Sequence, residues 1–184
     1  MLVNNGKGKT YSAIKFLMGY KKNGYRIITN VKSFNVYNDT LYFKDIMDII
    51  NYCKENIKDN RKDKYIIFFD EIFTILEKRT AINKDILSFI SQLRKRNIIL
   101  ITTAQEWSEI NITFRRYCRY QIDCNMFAFP FTNTAFIFNS INDGDSIKWS
   151  EQDQEFIAPR ISANFSKCNK YVIDSYDTFE TIDT

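Results

Sequence analysis

Histidine is absent from the 184-residue chain. Serine–histidine and cysteine–histidine nucleophile pairs and imidazole metal sites are therefore excluded. Cysteine is sparse: Cys53, Cys118, Cys124 and Cys168 stand far apart and form no C-x-x-C pair. Neither a zinc site nor a disulfide framework is indicated, and reduced thiols in a cytosol are the default. No apolar run approaches the ~20 residues that a membrane-crossing helix needs, and no signal peptide precedes the first motif. Internal repeats and low-complexity stretches are also missing.

What is present reads as a globular protein. Hydrophobic residues make up 45% and aromatics 16% of the chain, enough for a packed core, and the length suits one domain spanning residues 1–184. The net charge of +4 fits a polyanionic partner or a solvated lysine-rich surface, and charge alone does not choose between them.

Hydrophobic periodicity supplies an α/β order. Ala13, Ile14, Leu17 and Met18 recur at helical spacing until Asn23-Gly24 stops the run. Arg26 to Asn30 reads as a strand, and Phe43, Ile46, Met47, Ile50, Cys53 and Ile57 as the stripe of a second helix. A charged loop, Lys58 to Lys64, leads into Tyr65–Phe69, a strand apolar on both faces as a central parallel strand should be. Ile82, Ile86, Phe89, Ile90 and Leu93 predict a third helix running into an apolar strand, Ile98 to Thr103. Asn111 to Arg116 reads as a connector and Tyr117 to Asp123 as a further strand. This alternation predicts a mostly parallel sheet. Beyond it, Ala135–Phe138 and Tyr171–Asp174 read as strands and Asn142-Asp143-Gly144-Asp145 as a turn. Residues 125–184 are thus expected to add antiparallel edge strands or a small cap.

Glycine is scarce, five residues in all, and two of them stand in Gly6-Lys7-Gly8-Lys9-Thr10 directly before the first helix. A nucleoside triphosphate needs backbone N–H groups wrapped round its phosphates, a cation and a hydroxyl for Mg²⁺. Gly6 and Gly8 allow the close approach, Lys9 reaches the terminal phosphates and Thr10 can ligate magnesium. Asn5, Gly6, Lys7, Gly8, Lys9, Thr10 and Tyr11 are the expected nucleotide-holding stretch. The G-x-x-x-x-G-K-[ST] pattern is incomplete, because Val3 stands where the leading glycine belongs. The strand that feeds such a loop is nearly absent too, so the first strand is expected to be truncated.

Asp70 and Glu71 close the Tyr65–Phe69 strand, a costly place for charge unless something uses it. Asp70 is the expected magnesium partner, acting through a water or from outside the ion's direct ligands, beside Thr10, and Glu71 the group that polarises an attacking water. Thr102, Thr103 and Gln105 end the next strand, on the edge where open parallel sheets bind ligands; Gln105 either senses the terminal phosphate or caps the following segment. Arg94, Lys95 and Arg96 end the third helix. They either complement its dipole or include a finger that enters a neighbouring subunit's site, Arg94 or Arg96 being the candidates. Arg115, Arg116 and Arg119, interleaved with Phe114, Tyr117 and Tyr120, are finger residues, nucleic-acid phosphate contacts or a solvated face.

The order of Gly6-Lys7-Gly8-Lys9-Thr10-Tyr11, Ile27-Ile28-Thr29-Asn30, Ile67-Phe68-Phe69-Asp70-Glu71 and Arg94 to Gln105 resembles the additional-strand P-loop ATPases of the FtsK–HerA group. It is most similar to zonular-occludens-toxin-like proteins and to viral and phage genome-packaging ATPases. The resemblance covers roughly the first 120 residues. It implies an α/β P-loop NTPase fold of the RecA/FtsK-like type, ATP and Mg²⁺ as cofactors, and a homo-oligomeric ring that moves double-stranded DNA. By the same resemblance Asp70 and Glu71 are the Walker B pair, Gln105 is the sensor, and Arg94 or Arg96 is the finger. Where the family often carries Arg-His, this chain has Arg94-Lys95-Arg96-Asn97. Membrane-anchored members export filamentous phage, and the lack of an apolar span directs the expectation to packaging into a capsid, with a capsid vertex protein as partner, in the host cytoplasm or the virion. Export or plasmid-transfer motors and a non-hydrolysing nucleotide-binding scaffold are the alternatives.

Overall fold

The computed structural model describes residues 2–3, 8–34, 36–57, 63–72, 75, 82–107, 110–129, 134–146, 148–151 and 155–177. In chain order the first half runs β1 (Leu2–Val3), α1 (Lys9–Lys22), β2 (Arg26–Thr29), β3 (Leu41–Tyr42), α2 (Ile46–Asn56), β4 (Tyr65–Phe69), α3 (Lys84–Gln92) and β5 (Ile98–Ala104). The second half runs α4 (Ile112–Arg115), β6 (Tyr120–Phe129), β7 (Thr134–Asp143), β8 (Lys148–Ser150), β9 (Glu155–Ile157), β10 (Arg160–Lys167) and α5 (Lys170–Ile173).

Local chemistry sets the helix ends. Gly8 precedes α1 in the left-handed region at φ 87°, which a side chain would strain. Lys21 and Lys22 sit at the negative end of that helix dipole. The Asp45 carboxylate accepts from Met47 N at 2.6 Å and starts α2, later than the sequence pattern predicts. Phe43 lies outside that helix, its ring 5.3 Å from that of Tyr52. Asn83 caps α3 through Asp85 N at 2.8 Å.

Among the described residues, eight strands form one sheet in the order β10-β7-β6-β1-β5-β4-β2-β3. β3, β2, β4, β5, β1 and β6 are mutually parallel neighbours, while β7 and β10 add antiparallel on the β6 side. β8 and β9 pair antiparallel by themselves. All five residues of β4 are buried, and their alternation builds two cores. Tyr65, Ile67 and Phe69 face α2 and α3 with Ile50, Cys53, Ile86 and Phe89. Ile66 and Phe68 face α1 with Ala13, Ile14 and Leu17. The sheet is therefore covered by helices on both faces.

The tail departs from expectation in particulars. Tyr171–Asp174 is not a strand: Asn169 caps Tyr171 N at 2.9 Å and the segment turns as α5. Only Val172 of that helix is buried, so its apolar run reports one anchoring contact rather than a pleated face. The strand read at Tyr117 begins at Tyr120 and continues to Phe129. Asn142 and Asp143 belong to β7, and the turn is the 3-10 segment Gly144–Ser146. β10 has no signature in the sequence because nearly every residue of it is exposed, leaving no apolar face to mark it.

Candidate functional site

Parallel strands end together, so the residues after β2, β4 and β5 converge at one edge of the sheet, next to the start of α1. β5 lies between β1 and β4, the position of the additional strand. Val3 pairs with Ala104 and Phe69 with Thr102, which brings the loop strand and the acid strand to either side of the end of β5.

Asp70 is the centre of this edge. Thr10 Oγ1 donates to its Oδ2 at 3.0 Å, and Thr103 Oγ1 donates to its Oδ1. Asn30 clamps the backbone at the same residue: Asp70 N donates to Asn30 Oδ1 at 2.7 Å, and Asn30 Nδ2 donates to Asp70 O at 3.1 Å. Thr103 Oγ1 also accepts from Glu71 N at 2.8 Å. Asn30 and Thr103 are 3% and 1% exposed, so these polar groups are buried and satisfied by one another. Three strand ends thereby become a single hydrogen-bonded unit.

The electrostatics set a half-buried ammonium near a buried carboxyl. Burial pushes the Asp70 carboxyl up, opposed by the hydrogen bonds from Thr103 and Thr10 and by Lys9. Burial lowers the Lys9 ammonium, opposed by Asp70 and Glu71. Both groups gain from a ligand of opposite charge. Thr10 Oγ1 and Asp70 Oδ2 also stand at the spacing of adjacent oxygens in a magnesium octahedron, about 2.9 Å for metal–oxygen distances of 2.0–2.1 Å. Among the described residues no three His, Cys, Asp or Glu side chains gather to hold a metal. A hydroxyl and one carboxylate is the sparse protein donor set that suits magnesium carrying phosphate oxygens.

Glu71 follows in the left-handed region at φ 53°, which turns its exposed side chain away from the line of β4. A non-glycine residue in this conformation costs about 1–2 kcal/mol, held here by the Thr103 contact. Gln105 is exposed in the bend directly after β5. Asn5, Gly6 and Lys7 lie outside the described residues. Tyr11 is fully buried, and its hydroxyl accepts from Asn169 N at 2.8 Å, docking the C-terminal segment on α1. Tyr176, which the sequence did not single out, stands near enough to feel Asp70; its phenol is pushed up to about 12, first by burial. The thiols of Cys53, Cys118 and Cys124 are pushed up to about 12, 11 and 11 by burial and offer no second nucleophile.

The arginines separate. Arg94 and Arg96 precede β5, so they lie at the opposite edge from Asp70, roughly 20 Å away along the seven residues of that strand. Arg96 donates to Cys53 O at 3.0 Å, Ile57 O at 3.1 Å and Gln92 Oε1 at 3.3 Å, closing the carboxyl end of α2. Arg94 is exposed. Arg115 is 6% exposed and sits over the Trp107 ring at 5.8 Å. Arg119 lies over Tyr120 at 5.4 Å, while Arg116 is exposed. Arg115 is thus set apart from Arg116 and Arg119 by its burial. The roles of Asn30 and Thr103 had one signal in the sequence: polar residues closing otherwise apolar strands.

The family described as zonular occludens toxin (Zot) matches residues 3–148. No curated protein sequence matches. Among solved structures, the N-terminal domain of zonular occludens toxin from Neisseria meningitidis is similar with TM-score 0.59 at 16% identity, covering 96% of this chain and 97% of that one. The genome packaging NTPase B204 of Sulfolobus turreted icosahedral virus 2, in complex with ATP-gammaS, gives 0.56 at 10% identity, covering 85% and 93%. The pCW3 conjugation coupling protein TcpA gives 0.51 at 14% identity, covering 66% and 47%. The fold is that of an α/β P-loop NTPase of the additional-strand type.

Proposed function

The chain belongs to the zonular occludens toxin (Zot) family, and from that membership and the geometry around Asp70 we propose that it is an ATP-hydrolysing motor that moves viral or phage DNA. The observation that carries this reading is the Thr10–Asp70–Thr103 unit, which holds a hydroxyl, a carboxylate and the next acid beside the start of α1. Gly8, Lys9 and the first N–H groups of α1 bind the phosphates, with Asn5, Gly6 and Lys7 completing the loop. Thr10 and Asp70 would hold magnesium, which would supply charge to neutralise the phosphate oxygens. Glu71 accepts the proton of the attacking water, and Gln105 reports the state of the terminal phosphate to β5.

Arg94 acts in trans. It stands at the edge of the sheet remote from its own Asp70, and Arg96 is occupied on α2, so only a neighbouring subunit of a homo-oligomeric ring brings such an arginine to a nucleotide. Double-stranded DNA is the cargo, with Arg116 and Arg119 as exposed phosphate contacts. The likeness to the packaging NTPase B204 supports loading into a capsid docked through a vertex protein, and the likeness to TcpA supports a transfer motor as the second reading. Phosphate release with and without double-stranded DNA tests the proposal. Wild type should turn over and be stimulated by DNA, whereas Lys9→Ala and Glu71→Gln should be inactive; undiminished hydrolysis by either variant refutes the site.

A further inference from the structure

After β10 the chain returns to α1 and is tied down at two places. Asn169 N donates to Tyr11 Oη at 2.8 Å, and Asp177 N donates to Ser33 Oγ at 2.9 Å. Between these ties Val172 and Ser175 are buried, and Ser175 Oγ donates to Val172 O at 2.6 Å. Tyr176 packs half-buried against the cluster that holds Tyr11, Val31, Phe34 and Val172. Residues 169–177 thus form a strap with fixed ends.

Both ties fall beside the residues that hold Asp70. Tyr11 directly follows Thr10, whose hydroxyl donates to the Asp70 carboxylate at 3.0 Å. Ser33 stands just past Asn30, which exchanges two hydrogen bonds with the Asp70 backbone. The strap therefore bridges the start of α1 and the end of β2, and Asp70 is bonded to both. Tyr176 lies one residue before the Ser33 tie, where the charge of Asp70 reaches its phenol.

A buried tyrosine hydroxyl normally finds a hydrogen-bond partner. That of Tyr176 has none among the described residues: Asp70, Tyr11 and Cys168 act on it through charge alone. Asp70 has no need of another donor, since Thr10 and Thr103 already serve its two oxygens. The remaining acceptor at this edge is the guest itself. A nucleotide gripped by Lys9 and the start of α1 turns its last phosphate toward the acid-ended strand.

We propose that Tyr176 is a nucleotide contact whose hydroxyl donates to the terminal phosphate, so that the strap distinguishes a triphosphate from a diphosphate. This rests on the nucleotide reading of the Asp70 edge. It adds a residue from the far end of the chain to that site, and couples the state of the phosphate tail to the order of the strap.

Calorimetric titration of the full chain with AMPPNP and with ADP, each with magnesium, tests it. Tyr176→Phe keeps the ring and its packing, so the melting temperature should hold. The variant should bind AMPPNP about tenfold more weakly than wild type, and ADP equally well. The same loss for both nucleotides marks a merely structural residue and overturns the proposal. Hydrogen exchange gives a second readout that does not depend on the variant. AMPPNP should slow exchange across residues 169–177 of the wild type more than ADP does, and equal protection by the two overturns the proposal. A wild-type chain that binds neither nucleotide overturns the nucleotide reading and this proposal together. One that binds both, with Tyr176→Phe matching it, overturns this proposal alone.

Discussion

Burying a carboxylate without a metal is unfavourable, and Asp70 bears that cost. Its folded value lies above the unfolded one of ~3.9. Its contribution to stability is therefore whole below the unfolded value and is lost as pH rises through the raised folded value. Asp70→Asn removes this loss. By calorimetry the nucleotide-free variant should melt about 3 °C above wild type at pH 7, the shift of ~1 kcal/mol in a chain of this size, and the gap should close toward pH 4. The same variant should show no stabilisation by ATP and magnesium. Asn30→Ala acts in the opposite sense. It strips two hydrogen bonds from a buried backbone, so it should cost about 2 kcal/mol and lower the melting temperature by roughly 4–8 °C. No change in melting would show that the clamp is idle.

At the scale of elements, the two arginines after α3 have different tasks. Arg96 donates to the Ile57 carbonyl just past the end of α2 and adds a second donor to the Cys53 carbonyl, which already accepts from Ile57 N, at a helix end where carbonyls lack helical partners. Arg96→Ala should cost about 1.5–3 kcal/mol, seen as a lower midpoint in urea. Arg94→Ala should leave that midpoint unchanged and reduce turnover by ~10³-fold or more. If the stability loss fell on Arg94 instead, the assignment would be reversed. Most elements were legible before the structure. Tyr65–Phe69 announced itself because both its faces are covered, the strand read from Ile98 to Thr103 by its unbroken apolar run, and α1 and α3 because their buried stripes repeat at 3.6 residues. β10 and α5 were not legible. The first is exposed on both faces, and the second turns on an asparagine cap and a tyrosine hydroxyl that arrives from α1.

For the whole molecule, a site completed across a subunit boundary makes a distinctive prediction. Lys9→Ala and Arg94→Ala should each be inactive alone. Mixed, they should regain part of the turnover, because an Arg94→Ala subunit with an intact loop can meet the arginine of a Lys9→Ala neighbour. Absence of any recovery in a phosphate-release titration would argue that Arg94 does not act in trans. DNA stimulation should also fall steeply between 50 and 200 mM salt, as it must for binding through phosphates.

The order of residues alone determined that a glycine- and lysine-containing stretch ahead of a helix, an acid-ended strand and a polar-ended strand exist, because each is written in contiguous side-chain chemistry. Lys9, Thr10, Asp70, Glu71 and Gln105 were named on that basis. Tertiary structure decided which of them touch. It placed β5 between β1 and β4, joined Thr10 to Thr103 through Asp70, and sent Arg94 to the far edge. Pairing order and register depend on which apolar faces are buried together across distant segments, and no local stretch of sequence carries that quantity.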